Sequence, residues 1–144
     1  MIVIADTSGI LALFNRAEPE HRAVRKAVDE ASLLVISPLA LTEVHHVASV
    51  RASRKAADGM LRLLADRASA LRVTLADTTP EILGTAVSAR ARYQDLDLDL
   101  VDAINIALAA VYDTTAILTL DRRDFRALRP LTSSPAFRVL PDDL

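Results

Sequence analysis

Short unbroken runs of aliphatic residues alternate along this chain with longer segments whose apolar positions recur every three or four residues. Residues 2–5, Ile-Val-Ile-Ala, form the first run, and a strand buried on both faces of a parallel sheet has this pattern. Helical periodicity follows over residues 8–15 and about 20–31, then a second apolar run over 33–36. Ser37-Pro38 places a capping hydroxyl ahead of a proline at the first helical position, opening a helix to about Val50. A further helix is predicted over 53–68, with Met60, Leu61 and Leu64 on its apolar stripe, and a third strand over 71–75. Thr79-Pro80 repeats the cap-then-proline signal for a helix to about Tyr93. A nearly all-apolar helix is predicted over 100–111, then a strand over 116–120 and a short one over 137–140. Strands that alternate with helices imply right-handed crossovers, hence an α/β sandwich around a mostly parallel sheet of four to five strands.

The 144 residues fit a single domain spanning 1–144, with no repeat or linker. Apolar residues make up 51% of the chain but aromatics only 3%, so the core must be aliphatic. The absence of cysteine removes disulfide frameworks and thiolate-ligated metals from consideration and suits a reducing cytoplasm. The apolar start lacks a basic leader and carries Asp6, so it does not read as a signal peptide. No run approaches the length needed to span a bilayer, and a cytoplasmic location without membrane attachment is expected.

Four acids occupy positions where chemistry is expected. In a parallel sheet ligands bind beyond the carboxyl ends of the strands, and Asp6 and Asp121 follow the first and fourth predicted strands. Each could equally cap the helix after it. Glu43 falls in the second turn of the helix after the second strand, where it could simply face solvent. Asp102 is harder to explain structurally, because it sits in Leu100-Val101-Asp102-Ala103-Ile104, a helix expected to be buried on most sides. A carboxylate there is costly unless a cation or hydrogen bonds compensate it, and no lysine or arginine is near in sequence. Two such acids brought together repel by about 4 kcal/mol, so a hard divalent cation is the natural counter-charge. Oxygen-only ligands point to Mg²⁺, with Mn²⁺ the next choice.

The segments Ile4-Ala5-Asp6-Thr7-Ser8, Ser37-Pro38 leading to Thr42-Glu43, Leu100-Val101-Asp102-Ala103, and Leu118-Thr119-Leu120-Asp121-Arg122-Arg123 together resemble the PIN-domain family, and within it the VapC-type toxins of bacterial toxin–antitoxin pairs. The resemblance spans essentially the whole chain. It implies a three-layer α/β sandwich and a Mg²⁺-dependent endoribonuclease that cuts structured RNA such as tRNA or rRNA, leaving 5′-phosphate and 3′-hydroxyl ends. It also implies a cognate antitoxin and a homodimer, for which apolar positions on the helices between Glu43 and Leu64 are candidates. Asp6, Glu43 and Asp102 match the acids that define the family's catalytic and metal site, and Asp121 matches the less strictly required fourth. Thr7 and Thr119 stand beside these acids as supporting hydroxyls, and Arg122 and Arg123 are candidates to grip RNA backbone or antitoxin carboxylates. Asp99 departs from the pattern; it is expected to cap the helix that carries Asp102, with a place around the metal as the alternative.

Other classes fit less well. A haloacid-dehalogenase-like phosphatase needs an acid where Ser8 stands, and a phosphoacceptor receiver needs a lysine where Asp121 stands. Glu43 and His46 make only one of the two Glu-x-x-His pairs of a di-iron bundle. A PIN fold retained purely as a binding module would be expected to lose site acids, and a DNA-directed nuclease would use the same acids.

Overall fold

The computed structural model describes residues 1–144. Its sheet contains β1 (Ile2–Ala5), β2 (Leu33–Ile36), β3 (Val73–Leu75), β4 (Ala116–Leu118) and β5 (Arg138–Leu140). The strand order is β3-β2-β1-β4-β5 and every pairing is parallel. Helices α1 (Thr7–Phe14), α2 (His21–Glu30), α3 (Pro38–Arg51), α4 (Arg54–Ser69), α5 (Pro80–Arg92), α6 (Leu100–Val111) and α7 (Arg122–Ala127) connect the strands.

Because successive strand residues point to opposite faces, each strand feeds two cores. On one face Val3, Ala5 and Ile36 pack with Ile10, Val24, Val44 and Leu64 of α1–α4. On the other, Ile4, Val35 and Ile117 pack with Ile82, Ile104 and Phe125 of α5–α7. The expected three-layer α/β sandwich is therefore present. The chain winds outward from β1 through β2 to β3, then returns to the other side of β1 to lay down β4 and β5. The reversal puts β1 beside β4, with Ile4 opposite Ile117 and Ala5 opposite Leu118. That junction is where open α/β sheets hold their ligands.

The capping signals act as expected. Ser37 Oγ accepts from the Leu39 amide at 3.1 Å, and Thr79 Oγ1 from the Ile82 amide at 3.2 Å. Two strands are shorter than their apolar runs. β3 begins at Val73 because Leu71 takes a left-handed conformation (φ 58) in the turn after α4 and is 82% exposed. β4 stops at Leu118: Thr119 Oγ1 accepts from the Asp121 amide at 3.0 Å and turns the chain. No helix is long and apolar enough to cross a membrane.

Candidate active site

The residues that follow β1 and β4 form one hydrogen-bonded cluster. The Asp6 amide donates to the Leu118 carbonyl at 2.9 Å, extending the sheet by one step. Both carboxylate oxygens of Asp6 are held. Oδ2 accepts from Thr119 Oγ1 at 2.9 Å and more weakly from Ser8 Oγ at 3.3 Å, while Oδ1 accepts from Asn105 Nδ2 at 3.1 Å. Ser8 Oγ also accepts from the Leu120 amide at 2.9 Å, which ties the start of α1 to the chain leaving β4.

Asp102 reaches the same place from the first turn of α6. It is 8% exposed and Asp6 5%. Asp99 caps α6: its Oδ1 accepts from the Asp102 amide at 2.8 Å, and Asp102 Oδ2 accepts in return from the Asp99 amide at 3.4 Å. The capping expectation for Asp99 is met, although Asp99 also lines the site cavity. The return bond is long, so the Asp102 carboxylate is weakly held. Asp6 and Asp121 stand at the N-cap positions of α1 and α7, but neither side chain makes a well-formed capping bond of the kind Asp99 makes.

A cavity of about 780 Å³ opens over these strand ends. Asp6, Glu43, Asp102 and Asp121, the four acids singled out in the sequence, all line it. Glu43 comes from α3 and Asp102 from α6, so the site draws on both helical layers. No cationic side chain pairs with Asp6 or Asp102. Burial accordingly pushes the Asp6 carboxyl up to about 6, against the pull of the Thr119 hydroxyl and the Thr7 amide. Asp102 is pushed up to about 8, first by burial, then by repulsion from Asp6 and Asp99. Partial burial and then the charge of Asp124 raise Asp121. Proton uptake is how buried like charges are tolerated when no cation is at hand.

These residues fit a divalent cation in charge and donor type: hard oxygens, clustered and uncompensated. As they stand, no three of them converge closely enough to enclose an ion.

Of the supporting groups expected from the sequence, Thr119 bonds Asp6 through its hydroxyl. Thr7 acts through its amide instead, and its buried Oγ1 has no partner. Arg122, expected to grip RNA backbone or a partner's carboxylates, is engaged within the chain: Nε donates to Asp142 Oδ2 at 2.7 Å and Nη2 to Glu20 Oε1 at 2.7 Å. Arg126 is held likewise by Asp143, whereas the exposed Arg123 has no ion pair. Sequence reasoning missed Ser8 and Asn105. Asn105 lies three residues beyond Asp102, one helical turn on, which is the signal that could have found it.

Residues 3–129 match the PIN domain family. The chain is 39% identical to Ribonuclease VapC26 of Mycobacterium tuberculosis over 140 residues, 96% of this chain and 100% of that protein. Among solved structures, Mycobacterium tuberculosis VapC20, a sarcin–ricin-loop-cleaving toxin, superposes with a TM-score of 0.75 over 87% of this chain and 94% of that one, at 20% identity. VapBC2 from Rickettsia felis, solved with a DNA fragment from its promoter, superposes with a TM-score of 0.68 over 91% of this chain and 96% of that one, at 13% identity. At those identities the two structures speak to the fold alone. The family match and the full-length relative together make this chain a PIN domain of the VapC type.

Proposed function

We propose that this chain is a metal-dependent endoribonuclease and the toxin of a toxin–antitoxin pair. The observation that carries the reading is the burial of Asp6 and Asp102 together, neither of them in an ion pair, in a cavity that Glu43 and Asp121 also line. The full-length likeness to a VapC ribonuclease supports it.

Asp6, Glu43, Asp102 and Asp121 would hold Mg²⁺ or Mn²⁺, which when bound supplies Lewis-acid charge to a scissile phosphate and makes a water molecule nucleophilic at neutral pH. The chain's own residues prepare that site. Thr119, Ser8 and Asn105 fix the rotation of the Asp6 carboxylate and favour its ionised form. Leu11, Phe14, Val47 and Met60 form an apolar wall that keeps the dielectric low around the acids. The substrate is structured RNA, and the products are a 5′-phosphate and a 3′-hydroxyl. A cognate antitoxin restrains the enzyme, and the protein works as a homodimer in the cytoplasm.

Thr119→Val and Asn105→Leu keep the branching of the side chain but remove a donor to Asp6, the second at the cost of added bulk. Each is expected to lower affinity for Mn²⁺ by about 10-fold or more, measured by calorimetric titration. Unchanged affinity in both would show that these groups do not prepare the carboxylate.

The function itself is tested by inducing the wild type and Asp102→Asn in cells and sequencing RNA fragments with new 5′-phosphates. Discrete sites with the wild type that vanish with the variant are expected. Identical RNA ends from two well-folded proteins would sink the ribonuclease reading and favour a DNA-directed nuclease or a binding module.

A further inference from the structure

The cavity that holds the carboxylates is a poor place for a polyanion on its own. Asp6, Glu18, Glu43, Asp99, Asp102 and Asp121 line it against the single cation Arg51. A divalent ion would offset part of this charge at the scissile phosphate, but phosphates to either side would meet none of that benefit. Nucleic-acid affinity comes largely from cations on the protein, so they must lie beyond this cavity. Of the arginines nearest in sequence to Asp121, Arg122 and Arg126 are tied to Glu20, Asp142 and Asp143, which leaves Arg123 alone free there, too few cations to hold a polyanion.

A second cavity, about 340 Å³, adjoins the first and shares Phe14 and Leu63 with it. Arg16, Arg25, Arg67 and Arg72 line it, against one acid, Asp29. These four arginines come from the turn after α1, from α2, from the last turn of α4 and from the approach to β3, so tertiary structure alone brings them together. All four are exposed. Arg16, Arg67 and Arg72 make no ion pair. Arg72 is steadied by donating Nη2 to the Ala31 carbonyl at 3.1 Å, which leaves its charge uncompensated. Arg25 meets Asp29 only at 3.8 Å, between side chains more than 60% exposed, a contact too solvated to hold it.

We infer that this arginine-lined groove binds the phosphate backbone of the RNA flanking the cleavage point, so that the substrate crosses the Phe14–Leu63 saddle from groove to carboxylates. The inference rests on the ribonuclease reading and adds to it where the substrate is held. Charge complementarity and continuity with the catalytic cavity select RNA as the occupant. Backbone contacts of this kind carry no sequence information, so any stem-loop RNA serves as probe.

The test measures binding of a fluorescein-labelled stem-loop RNA by anisotropy, over a salt series, in an Asp102→Asn background that prevents cleavage. Arg25→Glu with Arg67→Glu is compared with Arg92→Glu with Arg129→Glu, the same charge change placed on and beyond α5 and α7, on the other layer. All four side chains are exposed, so folding is expected to survive, and Mn²⁺ affinity of the cleavage-competent forms serves as a check on the catalytic cavity. The groove pair is expected to weaken RNA binding by about 10-fold or more, and to reduce the slope of log affinity against log salt by roughly 2, one for each lost phosphate contact. The control pair should leave the slope nearly unchanged. Equal effects of the two pairs, or an unaltered slope with the groove pair, would overturn the inference while leaving the ribonuclease reading intact. Loss of binding to an acidic polypeptide, with RNA binding retained, would reassign the groove to a protein partner and overturn it too. If the Asp102→Asn parent binds no RNA while the wild type still makes discrete new RNA ends in cells, this inference falls alone; if those ends are missing too, the ribonuclease reading falls with it.

Discussion

Asp102→Asn is expected to abolish RNA cleavage and, at the same time, to stabilise the metal-free protein. The two effects have one cause. Asp102 is a buried carboxylate facing Asp6 and Asp99 with no cation of the chain to answer it, so the fold must take up a proton there, at a cost that rises with pH, until a divalent ion arrives. Asparagine keeps the shape, can still accept from the Asp99 amide, and removes the charge. Cleavage should fall by about 100-fold or more, the scale on which losing one electrostatic stabiliser acts. The stability effect has a defined direction with pH. The folded-state values of Asp102 and Asp6, about 8 and about 6, lie above the ordinary 3.8, so the folded protein binds more protons than the unfolded chain between them. Stability of the metal-free wild type therefore declines as pH rises from about 4 towards 8. Asp102→Asn should flatten the upper part of that decline and, at pH 7.5 in chelator, raise stability by a few kcal/mol at most. Scanning calorimetry with chelator across this pH range measures it. A variant that melts below the wild type at pH 7.5 would show that Asp102 is held by something other than the proposed ion.

Gly9→Ala is expected to be the most damaging single-methyl change in the protein. A Cβ at Gly9 would lie 2.5 Å from the Leu118 carbonyl oxygen, 2.8 Å from Leu118 Cγ and 2.9 Å from the Leu118 carbonyl carbon. Two of those atoms are backbone and cannot swing aside. The same carbonyl accepts the Asp6 amide, so any retreat of β4 also opens the junction that holds Asp6, Thr119 and Ser8 together. Overpacking on this scale costs about 3 kcal/mol, more than the roughly 1 kcal/mol that alanine gains over glycine in a helix. For a chain of this size the melting temperature should drop by roughly 10 °C. The molecule contains its own controls. Nothing lies within 4 Å of a Cβ built at Gly59 or Gly84, so Gly59→Ala and Gly84→Ala should be neutral or stabilising by about 0.5–1 kcal/mol. If Gly9→Ala melts with these two, the close approach of α1 to β4 does not constrain the fold.

The helix boundaries were largely legible in the sequence because the signals that set them are local. Ser37 and Thr79 cap helices through amides two and three residues away, and the proline after each sits where no amide is needed. Strand ends were less legible. β4 stops short of its apolar run because the Thr119 side chain turns the backbone, and Leu71 lies outside β3 because the exit from α4 demands a left-handed residue there. Hydropathy carries neither instruction.

Within the site, the sequence determined which acids would lie uncompensated. Asp102 in an apolar helix and Asp6 at the end of an apolar strand signal this from local pattern alone. Tertiary structure alone decided who meets whom. The strand order that puts β4 against β1 brings Thr119 to Asp6 across 113 positions, and the packing of α6 on the sheet brings Asn105 to its other oxygen across 99. The same packing ties Arg122 to Glu20 and Asp142, removing a cation that looked free, and gathers Arg16, Arg25, Arg67 and Arg72 from four separate elements around one groove. The physical reason is a difference in range. Periodicity, capping and burial cost act over a few residues or on one side chain, so they can be read along the chain. Which strands lie side by side depends on the whole set of helices that must cover both faces of the sheet, and that choice creates the pairings on which the site depends.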